Sequence, residues 1–168
     1  MDGTYDSVPM RIYVVRHADA GSRREWNEPD HLRPLSPKGW ERANELATVL
    51  DGQGIVRLLS SPYLRCTQTF GPLAAKQGLE VEEHPALTEG AALQDGMDLV
   101  EALVEAHTPA ALCSHGDVIP ELLAGLERRG TAVDPTGRFP KGSVWVLHAD
   151  NGAITRATYA GKTGLLDG

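Results

Sequence analysis

The chain has 168 residues, 41% of them apolar and 23% charged, with a formal net charge of −7, a length that suits one domain with a sizeable core. The acidic balance argues against binding nucleic acid polymers or anionic membranes, so an anionic ligand has to be held by a local cationic cluster. No apolar run approaches the roughly 18 residues of a membrane span, the opening MDGTYDSVPM lacks a secretory pattern, and Cys66 and Cys113 are too few for a disulfide framework, which leaves a cytoplasmic protein with reduced thiols as the expectation.

In chain order, Arg11 to Val15 (RIYVV) is β-branched and predicts a first strand. Gly21 to Leu35 is charged, broken by Pro29 and Pro34, and reads as a surface excursion of the kind that borders a site. Ser36 is an N-cap with Pro37 at the first helical position, and Trp40, Ala43, Leu46, Ala47 and Leu50 recur at helical spacing. Ile55 to Ser60 predicts a second strand, and Pro62 opens a helix that Gly71-Pro72 should kink or split. Leu79 to His84 is an edge-strand candidate, Pro85 to Gln94 a loop, and Met97 to His107 a short amphipathic helix. Ala110 to Cys113 predicts a buried strand and Val118 to Arg129 a helix. Ser143 to His148 and Ala153 to Tyr159 pair as a hairpin across Asn151-Gly152. Residues 1–10 are expected to be a flexible N-terminal segment and 161–168 a tail, flanking a single domain over 11–160.

Strand–helix alternation with unalternating apolar strands predicts an α/β three-layer sandwich. Its central sheet is mostly parallel, covered by helices on both faces and closed by an antiparallel edge hairpin. Ligands of such sheets bind beyond the carboxyl ends of the strands. Arg16 and His17 follow the first strand, Arg65 follows the second, Glu89 lies after the third, and Ser114-His115-Gly116 follow the fourth. Two arginines and two histidines converging there form a pocket for a dianion, with guanidinium forks matching phosphate oxygens, and point to phosphoryl transfer.

In order and spacing, "VVRHADAG", "LSPKGWERA", "LLSSPYLRCTQT", "LTEG" and "CSHGDVI" resemble the motifs of the histidine phosphatase superfamily, which includes phosphoglycerate mutases. The Arg-His-Ala version and the compact length look like its small phosphohistidine phosphatase branch. "RPLSPKG", "YLRCTQTFGPLAA", "HGDVIPELL" and "FPKGSVWVL" are closer still to the phosphatase domain fused behind actinobacterial Nudix hydrolases, although this chain contains no Nudix box.

The resemblance implies that His17 is the nucleophile that becomes phosphohistidine. Arg16, Arg65, His115 and Gly116 would hold the phosphoryl oxygens, and Glu89 would be the general acid. Asp19 competes with Glu89 for the acid role, and Asp19, Arg23, Arg24, Arg138 and Lys141 are candidates for a substrate rim. Ala18 stands where the commoner motif has glycine and raises the expectation of restricted access to the phosphate. The expected substrate is a small phosphorylated metabolite, a nucleoside diphosphate or a phosphohistidine protein, processed without metal or other cofactor. The alternative is a non-catalytic phosphate-binding module of the same fold. No motif fixes the oligomeric state.

Overall fold

The computed structural model describes residues 9–161. Except for Pro9, Met10 and Gly161, the terminal segments anticipated above lie outside the described residues. Seven strands form one sheet: β1 (Met10–Arg16), β2 (Arg57–Ser60), β3 (Val81–Glu83), β4 (Ala110–Ser114), β5 (Ala132–Val133), β6 (Val144–Asp150) and β7 (Ala153–Gly161). Their order is β3-β2-β4-β1-β6-β7-β5. The β1–β4, β2–β4, β2–β3 and β5–β7 pairs are parallel, while β6 runs antiparallel to both β1 and β7.

Side chains alternate across the pleat of β1. Ile12 and Val14 enter one apolar cluster, with α4 (Leu93–Glu105) and α5 (Val118–Arg128). Tyr13 and Val15 enter the other, with α1 (Pro37–Leu50), α2 (Leu64–Thr69) and α3 (Gly71–Gln77). Helices therefore cover both faces, as the unalternating strands required. No helix among the described residues is long and apolar enough to cross a membrane.

The N-terminal signal of α1 is realised as read, with Ser36 Oγ accepting the Gly39 N–H at 3.1 Å. The Gly71-Pro72 break separates α2 from α3. Three local expectations are corrected. Trp40 is 38% exposed, at the rim of α1 rather than on its buried stripe. The helix expected to begin at Met97 starts a turn earlier, because Leu93 and Met97, four residues apart, both pack against Gly125 of α5. The two-residue strand β5, which no sequence pattern announced, pairs with β7.

Registration of the parallel strands places the chemistry. Arg16 is level with Ser114, and Ser60 with Cys113, so the segments leaving β1, β2 and β4 emerge side by side at one sheet edge. The chain entering β6 meets the same edge, where Ser143 O accepts the Arg16 N–H at 3.0 Å.

Candidate active site

At that edge lies a cleft of about 710 Å³. Of the candidate site residues, Arg16, His17, Arg23, Arg65, Glu89, His115, Gly116 and Lys141 line it, whereas Asp19, Arg24 and Arg138 do not.

His17 sits at the floor, 5% exposed. Its Nδ1 is 2.8 Å from the carbonyl of Ala18. A carbonyl can only accept, so Nδ1 carries the proton and Nε2 keeps its lone pair. Burial, reinforced by the neighbouring guanidiniums of Arg65 and Arg16, lowers the pKa of His17 to about 3, against a smaller upward pull from the Ala18 hydrogen bond. The ring is neutral and nucleophilic at ordinary pH.

Three of the lining residues carry a buried nitrogen with no hydrogen-bond partner among the described residues: Arg16 Nε, Arg65 Nε and His115 Nδ1. Arg16 is anchored by Nη1 to the Phe139 carbonyl at 2.6 Å, and its guanidinium lies directly over Gly116. A Cβ at that position would come within 2.8 Å of Arg16 Cζ, which accounts for glycine after His115. Arg65, only 1% exposed, uses Nη1 and Nη2 on the carbonyl and carboxylate of Asp30 at 3.0 and 3.1 Å, and its guanidinium stands 4.9 Å from the centre of the Tyr63 ring. The His17 and His115 rings meet edge to face at 5.4 Å. Buried donors left unpaired are costly unless a ligand takes them, and three of them on residues lining one cleft suit it to an anion. The start of α5 also opens there, since Gly116 and Asp117 line the cleft, adding favourable helix-end electrostatics.

Glu89 stands at the mouth. Its Oε1 is 3.2 Å from Arg65 Nη2, 3.1 Å from Arg23 Nη2 and 3.8 Å from His115 Nδ1. Asp19 is engaged elsewhere: it accepts the Ser36 hydroxyl at 2.6 Å and the Gly21 N–H at 3.2 Å, and faces Lys141 Nζ at 3.5 Å. Those hydrogen bonds, that of Ser36 first, hold its carboxyl below the usual carboxylate range. It braces the start of α1. Among the described residues Arg24 donates its backbone N–H to Ser22 Oγ, and the Arg138 carbonyl accepts from Trp145 Nε1.

Ala18 is fully buried against Leu35 and Ala43, and its N–H is held by Thr69 Oγ1 at 3.0 Å. The methyl group does not line the cleft, so the access restriction expected from replacing glycine does not arise.

Sequence reasoning missed Asp30 and Arg33. Arg33, 7% exposed, lines the cleft, binds Asp30 Oδ1 through Nε at 3.1 Å and donates through Nη1 to the Ala20 and Gly21 carbonyls. The excursion after β1 is thereby fastened to Arg65. Among the described residues no group of three His, Cys, Asp or Glu side chains is placed to hold a metal ion.

The family model described as histidine phosphatase superfamily (branch 1) matches residues 12–97. An 8-oxo-(d)GTP phosphatase of Mycolicibacterium smegmatis is 35% identical over 151 residues, covering 88% of this chain and 47% of that protein. A probable phosphoglycerate mutase GpmB of Serratia proteamaculans is 30% identical over 105 residues, covering 60% of this chain and 45% of that protein. The chain thus spans about half the length of the curated relatives it matches. In fold it is similar to the protein histidine phosphatase SixA complexed with tungstate, with a TM-score of 0.70, 24% identity and coverage of 89% of this chain and 94% of that one. A mycobacterial glucosyl-3-phosphoglycerate phosphatase superposes with a TM-score of 0.69 at 18% identity, covering 92% of this chain and 98% of that one.

Proposed function

The chain belongs to the histidine phosphatase superfamily, and on that premise we propose that it hydrolyses a phosphoester or phosphoanhydride of a small polar substrate through a phosphohistidine on His17. The observation that carries this reading is the pairing of a lone pair on His17 Nε2 with three unpartnered donors, Arg16 Nε, Arg65 Nε and His115 Nδ1.

The chemistry follows from those positions. His17 Nε2 attacks phosphorus as the bond to the leaving oxygen breaks, and the three donors take the charge that spreads over the equatorial oxygens. Glu89 gives a proton to the leaving oxygen. It then takes one from a water that attacks the phosphohistidine, releasing phosphate and restoring the neutral ring. No step requires a metal. The lining of the cleft is charged or polar apart from glycines, and no Phe, Tyr, Trp or large aliphatic side chain among the described residues contributes to it. Recognition of the leaving group therefore relies on charge and hydrogen bonds. The curated relative named an 8-oxo-(d)GTP phosphatase makes nucleoside diphosphates the first anhydrides to assay.

The test is phosphate release from an aryl phosphate, nucleoside diphosphates including oxidised guanine forms, and a phosphohistidine protein. Wild type and His17→Ala are run together, with rapid-quench intact mass to catch the phosphoenzyme. Turnover and a phosphoenzyme in wild type only, insensitive to chelator, are expected. Glu89→Gln should slow ester and anhydride hydrolysis and spare phosphohistidine, whose leaving nitrogen is readily protonated. A wild-type protein that binds phosphate but releases none from any substrate would instead be a binding module.

A further inference from the structure

Behind His115 lies a buried hydroxyl that the steps above leave without a task. Ser61 is fully buried, and its Oγ is 2.8 Å from His115 Nε2. Its backbone is fixed on both sides. The Ser61 N–H donates to the Cys113 carbonyl at 2.9 Å, and the Ser61 carbonyl accepts the Ser60 hydroxyl at 2.8 Å. One lone pair of Oγ is taken by the Tyr63 N–H at 3.2 Å. The opposite nitrogen of the ring, Nδ1, is the unpartnered one at the cleft.

We propose that Ser61 is a positioning residue that keeps the proton of His115 on Nδ1, where it can be donated to a phosphoryl oxygen. A neutral imidazole has one donor and one acceptor nitrogen, and the partner of one nitrogen decides the role of the other. With the hydroxyl donating to Nε2, every hydrogen of the Ser61–His115 pair has a destination once an anion occupies the cleft. In the opposite tautomer Nε2–H would point at Oγ. The hydroxyl hydrogen would then have no acceptor among the described residues, and a lone pair on Nδ1 would face the anion. Cys66 Sγ also lies within hydrogen-bond reach of Nε2, at 3.6 Å, but a thiol is a much weaker partner than the hydroxyl at 2.8 Å, and as a donor it would leave the proton on Nδ1 as well.

The two histidines are thus set in opposite senses by opposite partners. The Ala18 carbonyl, which can only accept, frees Nε2 of His17 for attack. The Ser61 hydroxyl, by donating, frees Nδ1–H of His115 for binding. One imidazole becomes the nucleophile and its neighbour the electrophile.

This inference rests on the phosphatase reading, and its test has an arm that does not need turnover. Histidine ¹⁵N NMR on the whole chain, at a pH where the rings are neutral, should show His115 protonated at Nδ1 and bare at Nε2. In Ser61→Ala the two forms should mix, and in Ser61→Thr, which keeps the hydroxyl, the wild-type pattern should return. In turnover, Ser61→Ala should lower kcat by about 10- to 100-fold, by analogy with the loss of outer partners that orient metal-ligating histidines, with a smaller change in KM and recovery in Ser61→Thr. A proton on Nε2 in wild type, or a Ser61→Ala protein with unchanged spectrum and kcat, overturns the assignment. Absence of turnover and phosphoenzyme in wild type would overturn the phosphatase reading instead, while the spectrum still decides the tautomer.

Discussion

His17 carries a pH signature in the stability of the fold. Its pKa in the folded protein, about 3 because of burial, lies below the value near 6.5 of an unfolded histidine. Between those two pH values the unfolded chain binds a proton that the folded chain refuses. The group therefore contributes stability that is fully present above about pH 6.5 and is lost as pH falls toward 3, with a limiting slope of about 1.4 kcal/mol per pH unit. His148, lowered to about 4 by burial and by Arg156 and Arg11, acts in the same direction. Calorimetry at pH 7 and pH 5 should show a smaller loss of Tm in His17→Gln than in wild type; equal losses would mean that the ring is not held neutral. At Ala18 the opposite of a functional gain is expected. Ala18→Gly removes a methyl buried against Leu35 and Ala43, so it should cost about 1 kcal/mol in denaturant titration with kcat unchanged. Arg16, His17, Arg65 and His115 were legible because each follows a strand whose apolar run announces its end. The role of Asp19 was not, since its ties to Ser36 and Lys141 depend on how the chain folds back.

The excursion between β1 and α1 works as a third wall of the site. Its two short 3-10 turns, Arg23–Glu25 and Asp30–Leu32, bring Asp30 between Arg33 and Arg65, where it engages both terminal nitrogens of Arg65, sharing Nη2 with Glu89, while Nε has no partner among the described residues. Asp30→Ala should weaken binding of vanadate, a phosphate mimic, on the order of tenfold, because a charge-assisted pair is removed from a buried guanidinium; isothermal titration would read it, and unchanged affinity would show that Arg65 aims itself. The segment entering β6 supplies a second fastening. The Gly142 N–H reaches the Arg16 and His17 carbonyls, both at 3.0 Å. Gly142 has φ +77°, and a Cβ there would come within 2.6 Å of Arg42 Cγ. Gly142→Ala should lose at least 1–2 kcal/mol of stability from the backbone conformation alone, with kcat falling as the His17 carbonyl is released. Helix starts and breaks such as Ser36-Pro37 and Gly71-Pro72 could be read in advance because their signals are local. Asp30 could not, since a single aspartate between Pro29 and His31 has no periodicity, and its partner Arg65 lies 35 residues on.

Across the whole molecule, an acidic chain of net charge −7 gathers Arg16, Arg23, Arg33, Arg65 and Lys141 around one opening. Attraction of an anionic substrate is therefore local and screened by salt. Raising ionic strength from about 0.01 to 0.15 M, over which the Debye length shrinks from about 30 to 8 Å, should lower kcat/KM while leaving kcat nearly constant. A salt-independent kcat/KM would show that the cleft field does not guide encounter. The sheet order has a further consequence, in time rather than space. β1 is flanked by β4 and β6, pairing Ile12 with Ala110 and with Leu147. At about 5–20 residues per second on the ribosome, the first strand emerges on the order of ten seconds before either neighbour exists. Its apolar RIYVV run is meanwhile an open edge able to pair with another nascent chain. Because Arg16 leans on the carbonyl of Phe139 and β1 on residues as late as Ala149, a partly synthesised chain holds His17 before the segments that complete its cleft have been made.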